Sequence, residues 1–222
     1  SYLDNDHGSM IALQDFTSVG HAHSGNRGAR AVGYGRSAML FHEIRMRIGD
    51  EAFYAALREI TSTYRGVPIS WEQFLEHFSA HSDNDLDPLF SQSLTRPVLP
   101  ELQLTAVRSR QLDDRLQLSF TIEQTRQPPF ELLVPFRIET LGGTIEDQVL
   151  INGARTELTR TLHHQPLSLT LDPDYDVMRQ LTPAERTPSI SRLLGDKELL
   201  VVLADENERE IYAPLLGMAP RY

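Results

Sequence analysis

Leu94-Thr95-Arg96-Pro97-Val98-Leu99-Pro100-Glu101-Leu102-Gln103-Leu104-Thr105-Ala106 decides the fold, because the hydrophobic period changes inside it. Pro97 and Pro100 lack a backbone N–H and end helical propagation. From Leu102 onward apolar residues recur at every second position, as Leu102, Leu104 and Ala106. A domain boundary is therefore expected between Pro97 and Val98, with helices before it and strands after it.

Toward the N-terminus the pattern is helical. Phe53, Leu57, Ile60 and Tyr64 recur at helical spacing behind Asp50, which reads as an N-cap. Gly66-Val67-Pro68 breaks that helix, and Ser70 with Gln73 forms a capping box ahead of Trp71, Phe74, Leu75 and Phe78. Asp87-Pro88 supplies an N-cap and a first-turn proline for a short helix through Leu89, Phe90 and Leu94. Between Arg36 and Ile48 apolar residues lie on more than one side, which suits a central helix buried between others.

Toward the C-terminus the period is two. Leu116, Leu118, Phe120 and Ile122 alternate, as do Leu132 or Leu133 through Phe136 and Ile138, then Val149 and Ile151, then Leu167, Leu169 and Leu171. Short strands at this spacing imply an antiparallel β-sandwich, with Gly142-Gly143 and Asn152-Gly153 as hairpin-type turns. Pro173, Pro183 and Pro188 mark a connector, after which Lys197 to Ala204 reads as a buried strand and Glu206 to Leu216 as a helix. The expected class is α+β multidomain, divided into 1–97 (helical), 98–175 (β-sandwich) and 176–222 (connector plus βα element, truncated or docked on the sandwich).

Composition narrows the functional classes. The chain has 222 residues, 40% hydrophobic, enough for a substantial core. Its longest apolar run, Leu199 to Leu203, is far below the roughly 18 residues of a membrane span, so no membrane partner is expected. A net charge of -10 repels phosphate backbones, which argues against nucleic acid. With no cysteine, only His, Asp and Glu are left to hold a metal. Ser1-Tyr2-Leu3-Asp4-Asn5-Asp6 has no signal-peptide character and reads as an internal start, so the compartment is undetermined.

Val32-Gly33-Tyr34-Gly35-Arg36-Ser37-Ala38-Met39-Leu40-Phe41-His42, followed by Ile48-Gly49-Asp50-Glu51-Ala52-Phe53, resembles the zinc aminopeptidases related to aminopeptidase N and leukotriene hydrolase. Tyr64-Arg65-Gly66, Ser70-Trp71-Glu72-Gln73-Phe74, Asp85-Leu86 and Leu94-Thr95-Arg96-Pro97 continue it, so that the resemblance covers about residues 10 to 175. It implies that 1–97 is the helical end of a catalytic domain and that Tyr34 matches a tyrosine donating its phenolic proton to the oxyanion of the tetrahedral intermediate. Such a donor contributes roughly 3 kcal/mol in comparable oxyanion holes. The family's Tyr-Glu-Lys-Gly stands here as Tyr34-Gly35-Arg36-Ser37, which keeps the tyrosine and a cation and loses the acid. The bland reading of Tyr34 is a core tyrosine at a helix start.

The resemblance implies zinc in the intact parent and none in this chain, because the family's H-E-x-x-H and its further glutamate lie before the tyrosine segment. His42-Glu43-Ile44-Arg45-Met46 begins like that motif, but Met46 stands in place of the second histidine and the run follows Tyr34. Without zinc nothing lowers the pKa of the attacking water from ~16 toward ~7, so the isolated chain is expected to be inert. The family's Gly-x-Met-Glu-Asn loop is also missing, which leaves peptide specificity open. Partners expected from the resemblance are a peptide substrate in the parent and the remainder of the catalytic domain. The rival reading, motivated by Gly35, is a non-catalytic peptide-binding or scaffold protein.

Other constellations read as structural. His77 and His81 share a helical face at metal-ligand spacing but have no catalytic glutamate between them. His21 with His23, and His163 with His164, read as exposed loop or strand-end residues. Asp83, Asp85 and Asp87 read as chemistry of a helix start, and Asp172, Asp174 and Asp176 as turn material; both sets alternate like calcium loops but lack the EF-hand glycine and terminal glutamate.

Overall fold

The structure, a computed structural model, describes residues 11–16, 31–112 and 114–186. The chain divides into two compact units, Ser1–Gln180 and Leu181–Tyr222. The first holds every helix and strand below. In the second the described residues are 181–186, where the Thr182 N–H and hydroxyl both donate to Glu185 Oε2 at 2.8 Å. The strand and helix expected between Lys197 and Leu216 lie outside the described residues, as do His21 and His23.

Among the described residues four α-helices precede the strands: α1 Ser37–Ile48, α2 Asp50–Thr63, α3 Trp71–Ala80 and α4 Asp87–Thr95. Leu40 and Ile44 of α1 are fully buried, and the predicted faces of α2 (Phe53, Ile60), α3 (Phe78) and α4 (Leu89, Phe90) join them in one cluster. Phe53 stacks on Phe78 at 5.4 Å between ring centroids, and Phe41 meets Phe74 edge-on at 5.3 Å. Each fully buried side chain of this size contributes about 1.5–3 kcal/mol over an exposed one. Gly49, at φ 82°, lets α2 start directly where α1 stops.

Two expected caps are placed differently. Asp50 does not cap α2; its carboxylate turns back to the Arg45 guanidinium in two hydrogen bonds of 2.7 and 2.9 Å. A charge-assisted fork outcompetes a single backbone N–H. Asp87 is the first residue of α4, and its N–H is taken by Asp85 Oδ1 at 3.0 Å. The Ser70/Gln73 capping box forms as expected, with both reciprocal hydrogen bonds present.

After Arg96 the chain builds β1 Leu102–Leu112, β2 Arg115–Gln124, β3 Leu132–Thr140, β4 Gly143–Ile151, β5 Arg155–Leu162 and β6 Pro166–Leu171. They form two antiparallel three-stranded sheets, ordered β1-β2-β5 and β4-β3-β6. Alternate residues of β2 (Leu118, Phe120, Ile122) and β3 (Leu132, Val134, Phe136, Ile138) share one core, with Phe120 edge-on to Phe136 at 5.3 Å. The molecule is thus α+β, with helices followed by an antiparallel sandwich.

Gly142-Gly143 closes the β3–β4 hairpin, with Gly143 at φ 127°. Asn152-Gly153, in contrast, is not a hairpin turn, because β4 and β5 belong to different sheets and the turn carries the chain from one to the other. Strand β5 had no expectation attached. Its residues Arg155-Thr156-Glu157-Leu158-Thr159-Arg160 bury little, since among the described strands β5 pairs with β2 alone.

Within the first unit, side chains of the helices hold backbone of the sandwich. The Gln92 amide pairs with the backbone of Glu131 in both directions, at 2.7 and 2.9 Å. Arg47 bonds the Glu131 carboxylate at 2.8 Å, and the Arg96 guanidinium lies 3.2 Å from the centre of the Phe130 ring. No described helix is long and apolar enough to cross a membrane.

Candidate functional site

Tyr34 sits on a π-helical turn, Ala31–Arg36, that runs straight into α1. Such turns hold one more residue than an α-turn and occur often at functional sites. Its neighbours in sequence fix the turn from inside. Gly33 is buried beneath the Phe16 ring, where a Cβ would lie 2.2 Å from a ring carbon, so no larger residue fits without moving Phe16. The Ser37 hydroxyl donates to Gly33 O. Arg36 is 3% exposed and donates to three carbonyl oxygens, Ile11 (3.4 Å), Pro97 (3.2 Å) and Arg96 (2.6 Å).

The Tyr34 side chain itself points outward, 65% exposed, touching Phe16 edge-on at 6.0 Å. The bland reading of a core tyrosine is therefore replaced by an exposed phenol on a buried, anchored turn. Among the described residues no hydrogen bond holds its hydroxyl. A Cβ at Gly35 would meet nothing within 4 Å, so packing does not demand glycine where the aminopeptidase pattern has an acid.

Two turns along α1, His42 and Glu43 do not act as a metal pair. His42 Nε2 meets Asp176 Oδ1 at 2.8 Å, and Glu43 Oε1 accepts the Met178 N–H at 2.9 Å. Burial pushes the Glu43 carboxyl up to about 7, against the opposing pull of the Met178 N–H and the charges of Arg47 and His42, while Asp172 adds repulsion. Glu43 and Arg36 line one crevice of about 20 Å³ with Leu40, Gln92, Phe130 and Met178, roughly the room of one water.

The acidic run after β6 is more than turn material. Asp172 is 1% exposed; its carboxylate accepts from Asp176 N (2.7 Å), Val177 N (3.1 Å) and Arg179 Nε (2.8 Å), and its own N–H donates to Pro135 O. Asp172 and Tyr175 both hold positive φ, 47° and 61°. The result is a strap, residues 172–180, that lies against α1 through Asp176 and Met178. Asp174 goes elsewhere, to Arg137 at 2.9 Å, so the three aspartates do not converge on a cation.

His77 and His81 face one carboxylate, Glu59 of α2, at 3.4 and 2.7 Å, and the His81 hydrogen bond lowers the Glu59 pKa. His163 and His164 are exposed between β5 and β6, the latter packed over Gly142. Asp83, Asp85 and Asp87 are exposed ahead of and at the start of α4. Among the described residues no group of three or more His, Cys, Asp or Glu could hold a metal ion, so the donor set for zinc is not met by these side chains.

Sequence named Arg36 as the cation beside Tyr34, Glu43 as part of an incomplete zinc motif and Asp172 as turn material, but not the contacts that the fold gives them. A weak signal existed for Glu43, an acid three residues after Leu40 on a helix apolar on several sides; the carbonyl partners of Arg36 lie too far along the chain to be read, and the Asp172 turn is buried through its distant contact with Pro135.

In fold the chain is similar to Legionella pneumophila aminopeptidase A, solved in complex with aspartic acid, with a TM-score of 0.60 at 20% identity over 87% of this chain. The match takes in 22% of that protein's length, so the chain corresponds to a minor part of it. A Pseudomonas fluorescens alkylpurine DNA glycosylase, AlkC, bound to DNA containing an abasic site analog, matches 52% of this chain and 39% of its own at 14% identity, with a TM-score of 0.25, too low to argue from. No protein-family model matches the chain. No curated protein matches it either. The chain has a peptidase-like fold.

Proposed function

We propose that this chain is the C-terminal part of an aminopeptidase-like zinc metallopeptidase, in which Tyr34 donates a hydrogen bond to the oxyanion of the tetrahedral intermediate. The observation that carries the reading is the contrast at one turn, an exposed phenol (65%) on backbone anchored by a buried guanidinium (3% exposed). An oxyanion donor has to be open toward substrate and fixed in place, since only a preorganised dipole stabilises charge that develops in the transition state. Among the described residues no group of His, Asp or Glu is placed to hold zinc, and in this proposal zinc belongs to the parent, as do the peptide substrate and the rest of the catalytic domain.

The test uses the full-length protein carrying Tyr34→Phe, assayed on aminoacyl substrates with zinc content measured alongside. The expected result is a fall in kcat of about 10²–10³-fold with zinc retained. Undiminished turnover at full zinc content would remove Tyr34 from the reaction.

The second reading is a peptide-binding scaffold that keeps the architecture without the chemistry. Gly35 favours it, because an acidic side chain would fit at that position and is not there. A full-length protein that binds peptides but neither holds zinc nor hydrolyses aminoacyl substrates would establish the scaffold in place of the enzyme.

A further inference from the structure

We infer that Arg36 is a positioning residue for Tyr34, holding the phenol in its direction by tying the π-helical turn to the two chain segments it packs against. The inference deepens the reading of Tyr34 as an oxyanion donor and, in its catalytic arm only, rests on that reading.

The direction of the Tyr34 ring is not set by its own polar atom, because among the described residues nothing hydrogen-bonds its hydroxyl. Its one described ring contact, Phe16, is an edge-on approach at 6.0 Å, a weak contact tolerant of tilt. Direction is then inherited from the backbone of Ala31–Arg36. A π turn is only as fixed as its anchors, since its extra residue interrupts the regular hydrogen-bond ladder that stiffens an α-helix.

Arg36 is the anchor with the longest reach. Its guanidinium presents five donors in a rigid fork. One arm bonds Ile11 O and Pro97 O and the other Arg96 O, so a single side chain spans 25 residues back and about 60 forward. Arg96 and Pro97 stand where α4 has ended, a place where carbonyls lack helical partners and the helix dipole favours a cation. That segment is itself held, because Arg96 lies over Phe130 and bonds Pro128 O and Pro129 O. Tyr34 is therefore connected through Arg36 to a fixed point of the unit. Lysine in its place offers one ammonium and cannot reach all three carbonyls in one geometry.

The experiment labels this chain with 3-fluorotyrosine and follows ¹⁹F resonances, with Tyr34 assigned from the line lost in Tyr34→Phe. Arg36→Gln is expected to shift or broaden the Tyr34 line while those of Tyr54 and Tyr64, on and just after α2, stay in place. Arg36→Lys is expected to give an intermediate line. An unmoved Tyr34 line in Arg36→Gln, even with a lowered Tm, overturns the inference and leaves Arg36 as a structural clamp only. Should Arg36→Gln not fold, Arg36→Lys carries the same decision, a displaced line supporting and an unmoved line overturning.

In the full-length protein the expected result for Arg36→Gln is a kcat reduced tenfold or more at unchanged KM, partly restored in Arg36→Lys. Adding it to Tyr34→Phe should cost little further, as for two residues acting through one group. A displaced Tyr34 line in a full-length protein without peptidase activity would retain the positioning and refute the oxyanion role. A displaced line with unchanged kcat in an active enzyme would refute positioning for catalysis.

Discussion

Asp172 combines a buried carboxylate with a left-handed backbone, and the two demands can be separated by mutation. Its φ of 47° suits aspartate and asparagine alike, because both tolerate that region through local hydrogen bonding. Asp172→Asn thus leaves the turn accessible and removes the charge facing Arg179, whose side chain is 2% exposed. Removing one partner of a buried ion pair is strongly destabilising, so Asp172→Asn is expected to destabilise the first unit by about 3–5 kcal/mol in urea unfolding. A loss below about 1 kcal/mol would mean that the strap is held by its backbone contacts alone. Nothing in Asp172-Pro173-Asp174-Tyr175-Asp176 announces this. The run reads as an ordinary turn because the burial comes from Pro135 and Arg179, and neither contact is encoded in local spacing.

Helix α3 shows the opposite case, a terminus whose chemistry is complete within four residues. Ser70 Oγ accepts the Gln73 N–H at 3.3 Å and Gln73 Oε1 accepts the Ser70 N–H at 2.8 Å. Ser70→Ala is expected to cost about 1 kcal/mol, read as a lowered urea midpoint at unchanged m-value. A midpoint equal to the native one would show that packing of Trp71, Phe74 and Phe78 alone fixes the helix start. This box was legible in sequence because both partners are local. Asp50 looked equally like a cap, but its carboxylate had a stronger donor in Arg45 that spacing alone does not rank. Strand β5 was missed because an edge strand with polar residues at both parities gives little hydrophobic alternation. The candidate site divides the same way. Tyr34 was legible only through family resemblance, whereas Arg36 reaches a carbonyl 60 residues away and Glu43 an N–H 135 residues away, so their roles exist only once the chain is folded.

Glu43 makes the fit of helices to strap depend on pH, and the sign follows from its protonation. Its carboxyl titrates at about 7 in the folded chain against 4.5 for the unfolded group, with burial as the main cause. The folded state therefore binds more protons between these values, and the contribution of Glu43 to stability, fully present below about 4.5, is lost as pH rises through about 7. The groups facing it do not reverse this. Arg47 and His42 on α1 and the Met178 N–H favour the anion, while Asp172 in the strap opposes it, and the balance leaves the pKa raised. At full effect the loss is on the order of 3 kcal/mol, and less to the extent that water reaches the partly buried side chain. Glu43→Gln keeps an acceptor for the Met178 N–H and has nothing to titrate. Urea unfolding at pH 4.5 and pH 8 should accordingly show native and variant nearly equal at the lower pH and the variant more stable by about 1–3 kcal/mol at the higher. The comparison with the variant is needed because a chain of net charge -10 also loses stability through general repulsion as its acids ionise, a term both proteins share. A gap between them that does not change with pH would place Glu43 in water rather than under the strap. A gap that opens across neutrality would identify α1 and residues 172–180 as a joint set by a single proton.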